Sequence, residues 1–457
     1  MILKKFLFYL LLFCLFTSCH KDDEEASAYT QRVNSFIYQF MSYYYLWNDQ
    51  IPDLNRESET DSKAYFKKLL VKEDRFSSIT DDAESLVNSM QGIEKTYGYS
   101  LAYLWSDNSR KTILAAVEYV YPGTPAANAG IERGDLIVSL NGQAITEANM
   151  SGLISSPGIK IGIKKQKNGE YAETKNIDLK QVSIEQNPVH TTRIFHLPKA
   201  KTGYLCYLNY IDHYNFALDT VFAAFKSAGV TELILDLRYN PGGDANAIGH
   251  LCSQIAPLSN CRNKDLIIRT RYNNTLTNDF EQAGFDNNIY LTDSLSDYNL
   301  GLKRIFILTS DQTYSASEVT LTGLQPYLNV IQIGERTGGK DTGLLLLRPY
   351  VMEQDHTVLD PVIGNWAILP IVCEYQNKNG HTAKGGLNPD YEVESFYLPM
   401  APLGSEADPL IAKAIELIDG NVTASAKSKS QISTPRPFHH AASVYDEVKK
   451  NVVINQK

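Results

Sequence analysis

Three short segments carry residue types and spacings that can do chemistry. The first is Asp236-Leu237-Arg238-Tyr239-Asn240-Pro241-Gly242-Gly243-Asp244. Pro241 stiffens a turn there, and the two glycines let backbone N–H groups face outward with no side chain in the way. A following helix would add partial positive charge at its N-terminus. Both features suit a developing oxyanion, although a Pro-Gly-Gly turn alone is most often only a turn. The second segment, Leu308-Thr309-Ser310-Asp311-Gln312-Thr313-Tyr314-Ser315-Ala316-Ser317-Glu318, opens a helix with small hydroxyl residues. A serine in that first turn exposes its hydroxyl and leaves the next N–H unpaired, while Ser317-Glu318 also fits simple N-capping. The third, Gly334-Glu335-Arg336-Thr337-Gly338-Gly339-Lys340-Asp341-Thr342-Gly343, surrounds one lysine with glycines. A phosphate loop would need Gly-Lys-Ser/Thr opening a helix, and Asp341 after Lys340 argues against it.

These loops end three apolar strands at residues 233–237, 305–308 and 330–333, with helical periodicity beside them, for example at 218–225. Residues 183–420 therefore read as an α/β core. Residues 29–82 read as a small helical N-terminal domain. Phe36, Phe40, Tyr44 and Trp47 recur at helical spacing there, Pro52 is expected to end that helix, and a second helix is expected over 63–71. Such an aromatic stripe is core packing far more often than a ligand box. Residues 83–182 change to short β-prone runs, with strands expected at 113–120 and 136–140, a short helix at 125–130 and a tight hairpin at Asn168-Gly169.

Before these come Lys4, Lys5 and an apolar run to Phe16, the layout of a secretory signal. Leu15-Phe16-Thr17-Ser18-Cys19 resembles a bacterial lipobox, which implies cleavage after residue 18 and lipidation of Cys19. Residues 19–28 form an acidic tether, and Lys21 followed by acids resembles a surface-export signal of some Gram-negative lipoproteins. Export implies the outer membrane, on its periplasmic side or at the cell surface. No run reaches the roughly 18 apolar residues that span a bilayer. Losing Lys4 and Lys5 takes the net charge from −9 to −11, which disfavours nucleic acid as a partner. Cys206, Cys252, Cys261 and Cys373 lack zinc-site spacing. An oxidising compartment allows a Cys252–Cys261 disulfide, but the sequence does not choose among pairings. No metal or cofactor is implied. Residues 421–457 read as a flexible tail.

The string PGTPAANAGIERGDLIVSLNG, residues 122–142, resembles the PDZ domains of bacterial exported proteases. That resemblance implies that Tyr97-Gly98-Tyr99-Ser100 lies where backbone N–H groups bind a peptide's terminal carboxylate, with the peptide added as a strand. The three loops together resemble the tail-specific, or C-terminal processing, serine peptidases: a strand–DLRxNPGG loop, a serine within Ser-Ala-Ser-Glu, and a lysine 25 residues further on. The resemblance spans about residues 29–420, including Gly386-Leu387-Asn388-Pro389-Asp390 and Asp408-Pro409-Leu410. It implies a crotonase-like ββα spiral with an inserted PDZ domain. It also implies that Ser315 is the nucleophile, Lys340 the base, and Gly242 or Gly243 together with Ala316 the oxyanion donors.

The family often places a glutamine four residues after the lysine; here Leu344 stands there. Some relatives use a histidine, and the nearest here, His213, reads as a surface residue. A lysine with its ordinary pKa of about 10.4 would be a free amine on the order of once in a thousand at neutral pH, so it must be desolvated to serve. Asp341 is therefore expected to point away. The implied function is an endopeptidase acting on exported proteins or peptides, with their C-termini read by the PDZ domain. The rivals are a non-catalytic peptide-binding lipoprotein on this fold and a crotonase-like acyl-transfer enzyme acting on thioesters.

Overall fold

The computed structural model describes residues 26–167, 169–353 and 356–420, together with residues 437 and 452–453. The signal segment, Cys19, most of the acidic tether, Asn168 and nearly all of the expected tail lie outside the described residues. Within that tail stretch, Val452–Val453 pair in parallel with Gly343–Leu344.

Helix α1 (Ala28–Tyr44) starts where the Ser27 hydroxyl accepts the Thr30 N–H at 3.1 Å. Its aromatic stripe is core packing: Phe36 is buried, and Phe40, Tyr44 and Trp47 pack against the same cluster. The helix stops at Tyr44 rather than running on to Pro52, because Tyr45 is extended and its hydroxyl donates to Asp74 at 2.8 Å. Helix α2 (Ser62–Leu69) is capped by Asp61, which accepts from the N–H groups of Lys63 and Ala64. It ends before Val71 because Leu70 turns extended. Strand β1 (Ser78–Thr80) then pairs antiparallel with Ala367–Leu369, which fastens this unit to the core.

The next unit is an antiparallel sheet in the order β2 (Tyr99–Trp105), β3 (Ile113–Val120), β4 (Leu136–Leu140), β5 (Gly158–Lys167), β6 (Glu170–Lys180). Short helices at Pro125–Asn128 and Gly152–Ser155 cover it. Lys167 faces Glu170 across the expected hairpin. This sheet has its own core around Val117, Ile137, Ile161 and Ile163. It is bolted to the rest of the chain by polar contacts. Arg133 donates to the carbonyl of Ala401 at 2.9 Å and to the Tyr239 hydroxyl at 2.6 Å. Gln166 and Met400 exchange two hydrogen bonds, at 2.7 and 2.9 Å.

The α/β core has a six-stranded sheet in the order β7 (Val189–His196), β8 (Lys201–Tyr207), β9 (Glu232–Asp236), β10 (Arg304–Thr309), β11 (Asn329–Gly334), β12 (Tyr391–Glu392). All neighbours from β8 onward are parallel, and β7 is antiparallel at the edge. Ile234, Phe306, Leu308 and Ile333 pack below helix α3 (Pro409–Ile418) on one face. On the other face lies helix α4 (Ala316–Leu324), buried along its whole length, with a smaller sheet behind it that contains Leu266–Tyr272, Ile371–Asn377 and Thr342–Leu344. A helix buried on every face is enclosed on all sides, and its polar members Ser317, Glu318 and Thr322 are hydrogen-bonded.

Cys206, Cys252, Cys261 and Cys373 are buried free thiols, so the Cys252–Cys261 bridge is not formed. The arginine of the Asp-Leu-Arg string explains why the late Asp408-Pro409-Leu410 segment matters. Arg238 is fully buried; it holds Asp236 through Nε at 3.0 Å and Asp408 through Nη1 at 2.8 Å. Asp408 in turn caps α3, accepting from the N–H groups of Leu410 and Ile411. Removing Asp408 would take one of two carboxylates from the buried Arg238 and uncap α3. Asp408→Ala is therefore expected to destabilise the core by about 3–5 kcal/mol. Thermal melting followed by near-ultraviolet circular dichroism checks this.

Candidate active site

The three loops converge at the carboxyl ends of β9, β10 and β11. Ser315 is the N-cap of α4 and has φ 57° and ψ −115°. A non-glycine residue in that region costs of order 1–3 kcal/mol and persists only where its surroundings enforce it. A serine on a sharp strand-to-helix turn is the geometry of a nucleophile elbow. The rival hydroxyl, Ser317, is already engaged, donating to the Asn240 carbonyl at 3.1 Å.

Gly242 (φ 111°) explains its glycine by proximity: a Cβ there would stand 2.8 Å from Ser315 Cβ and 3.0 Å from the Ala316 nitrogen. Its N–H is taken, donating to Asn240 Oδ1 at 2.9 Å. Gly243 (φ 138°) admits no Cβ either, since one would lie 2.0 Å from the Tyr210 carbonyl oxygen. Ala316 is the first residue of α4, where N–H groups have no intrahelical acceptor.

The lysine loop is stitched directly to the serine loop. The Gly338 N–H donates to the Thr313 carbonyl at 3.0 Å. The N–H groups of Ser315 and Lys340 both donate to the same oxygen, Glu318 Oε2, at 2.9 and 2.8 Å. The two backbone nitrogens can therefore be no further apart than those two bonds laid end to end. Glu318 Oε1 accepts the Gly339 N–H at 2.8 Å and the Thr337 hydroxyl. The late glycine segment supports the loop from behind: the Leu387 N–H donates to Thr337 Oγ1 at 2.7 Å, and the Thr337 N–H to the Leu387 carbonyl at 3.1 Å.

Lys340 and Ser315 are fully buried. Burial holds the lysine amine well below its usual range, against the opposing pull of Asp74 and Glu318. Burial also pushes the Glu318 carboxyl up to about 7, against four hydrogen bonds that favour its charged form. Asp341 is buried beside the lysine, but Asp74 and Glu318 are the carboxylates acting on the amine. Leu344 is fully buried and supplies no polar partner. His213 is exposed.

Comparisons with known proteins decide what this arrangement belongs to. Residues 201–393 match the profile of peptidase family S41, residues 32–78 that of the peptidase S41 N-terminal domain, and residues 117–158 that of a PDZ domain. The core is that of a serine-type peptidase of family S41. A chloroplastic C-terminal processing peptidase from Tetradesmus obliquus is 24% identical over 376 residues, which is 78% of this chain and 74% of that protein. The carboxy-terminal processing protease CtpA of Bacillus subtilis is 27% identical over 224 residues, 48% of this chain; the match spans only 43% of CtpA. A crystallised Bacteroides fragilis protein assigned to the S41 proteases shares the fold, with a TM-score of 0.68, 24% identity and coverage of 84% of this chain and 97% of its own.

The 97–100 loop, expected to receive a peptide carboxylate, is internally engaged. The Gly98 N–H donates to Thr96 Oγ1 at 3.1 Å, and a Cβ on Gly98 would collide with Thr124. The hydroxyls of Tyr97 and Tyr99 donate to the carbonyls of Ser156 and Leu153, which ties the loop to the short helix at Gly152–Ser155. Ser100 donates to Glu118 at 2.8 Å, and Gln312 of the serine loop donates to the other oxygen of Glu118 at 2.9 Å. Strand β2 is an edge strand of its sheet.

Sequence reasoning missed three residues around Lys340. Glu318 looked like capping chemistry, and it does face the N-cap, but its second oxygen serves the lysine loop. Asp74 and Phe76 lie in the N-terminal unit, where Asp74 to Ser77 has only the spacing of an Asx-type turn. Nothing in that spacing points to a lysine far along the chain. Glu318→Gln, which can present only one acceptor oxygen, is expected to lower kcat by about 10²-fold. The measurement is turnover of an unstructured protein, with the fold checked by circular dichroism.

Proposed function

We propose that this chain is a serine endopeptidase in which Ser315 is the nucleophile and Lys340 the general base. The reading rests above all on one observation: a single Glu318 oxygen holds the backbone of a strained serine and that of a fully buried lysine. Neutral Lys340 takes the proton of the Ser315 hydroxyl, and the alkoxide attacks a peptide carbonyl. The N–H groups of Gly243 and Ala316 hold the oxyanion, while Gly242, whose own N–H is bound to Asn240, keeps the approach open. Lys340 then protonates the leaving amine, and water releases the acyl group from Ser315. A well-placed base of this kind contributes about 10²–10⁴ in rate.

We further assign the core to the crotonase-like ββα spirals, a placement supported by its parallel strands with α4 enclosed between two sheets. The 29–82, 83–182 and 183–420 boundaries are part of the same reading. Substrates are proposed to be exported proteins or peptides whose C-termini add beside β2 near Tyr97, Gly98, Tyr99 and Ser100. The relatives' C-terminal processing activity and the edge position of β2 support this. The lipobox-like string supports a lipoprotein anchored through Cys19 at the outer membrane.

Ser315→Ala and Lys340→Ala are each expected to lower proteolysis of an unstructured test protein by at least about 10³-fold, whereas Ser317→Ala keeps most of it. Wild-type protein is expected to label with a fluorophosphonate, and with palmitate in cells; the palmitate signal disappears in Cys19→Ala. Full activity in Ser315→Ala together with an inactive Ser317→Ala would overturn the assignment.

A further inference from the structure

The residues closest around the lysine amine include a segment that the α/β core does not supply. Residues 74–77 end the N-terminal unit and run directly into β1. The Phe76 ring centroid lies 5.0 Å from Lys340 Nζ. Arg75 Nη2 donates to the Gly339 carbonyl at 3.2 Å. Asp74 shapes the turn, accepting the N–H groups of Phe76 and Ser77 at 3.0 and 2.9 Å. Its other oxygen is held by the buried Tyr45 hydroxyl. On the far side, Ser77 Oγ accepts the Ile371 N–H at 2.8 Å. The turn is thus fixed at both ends and laid across the lysine.

We propose that this turn is a third wall of the reaction centre, and that Phe76 is a positioning residue that keeps water from the Lys340 amine. The proposal rests on Lys340 acting as the base. Phe76 is only half-buried, packed against the core from its edge, so its size is not explained by core filling alone. The charged and titratable groups acting on the amine are Asp74 on the turn, Glu318 on α4 and Cys373 on the strand behind, with Arg75 on the neighbouring Gly339 carbonyl and Asp341 adjoining in sequence. Asp74 and Glu318 both favour the ammonium form, and so, weakly, does an aromatic face. Exclusion of water is what opposes them, and Phe76 is the side chain placed to supply it from this side. The N-terminal unit therefore completes the catalytic chemistry as well as packing on the core.

The test is the pH dependence of kcat/KM for a series of variants in the full chain. Phe76→Ala is expected to lose about tenfold at pH 7 and to return close to wild-type activity by pH 9.5, because a wetter amine deprotonates at higher pH. Phe76→Val should fall between, and Phe76→Leu, which keeps the bulk without the π face, should follow the wild-type profile. A loss equal at both pH values, or no loss in Phe76→Ala, overturns the proposal. Should Phe76→Ala fail to fold, the acid limbs of the Val and Leu variants decide: identical limbs overturn it. Lys340→Ala runs alongside. If that variant keeps the wild-type profile, the base assignment itself fails; if it is inactive while the Phe76 series shows no pH-dependent change, only the wall fails.

Discussion

A single buried carboxylate oxygen sets the geometry on which the rest depends. Two loops from different crossovers of a parallel sheet meet because Glu318 Oε2 accepts N–H groups from both. Most of the surrounding structure can be understood as fixing where those loops begin. Arg238 and Asp408 clamp the end of β9 against α3. Thr313 hands its hydroxyl to the Leu237 carbonyl, and Ser310 hands its own to the Arg238 carbonyl. The glycines let the loops touch: a Cβ on Gly338 would overlap the Tyr314 ring, and one on Gly339 would strike the Gly386 nitrogen.

The electrostatics follow from the same enclosure. A buried amine is expensive to charge, and a buried carboxyl is expensive to ionise. Here the lysine is held well below its usual range and Glu318 is raised to about 7 by burial. Glu318 can accept from all four of its donors only when ionised. As the pH falls through that range, a proton competes with the loop N–H groups for the same oxygens, just as the amine becomes harder to keep neutral. Both changes act on the same pair of loops.

Much of this was legible in the sequence, because strand and loop boundaries are local matters. The strand at 113–120 and that at 136–140 lie where the alternation placed them, and the apolar runs ending in the three loops became β9, β10 and β11. Ser315 and Lys340 stood out only through the family resemblance that their strings and 25-residue separation carry. What was not legible was set by distant chain. The end of α1 depends on Tyr45 reaching Asp74 rather than on Pro52. The carboxylate acting on Lys340 from outside the core comes from residue 74, not from neighbouring Asp341. Gly242 and Gly243 looked interchangeable, and only the Asn240 side chain distinguishes them, by binding the N–H of the first. The cysteines lacked any local signal either way, and in the structure Cys252 and Cys261 are buried free thiols.

The central claim is that the Lys340 amine is uncharged at working pH. Its most direct test is titration of the lysine side-chain nitrogens by nuclear magnetic resonance in uniformly labelled protein, with Lys340→Met used to assign the signal. The account predicts a Lys340 resonance that titrates well below the ordinary lysine midpoint of about 10.4. A Lys340 signal that stays protonated until it titrates with the surface lysines would contradict it.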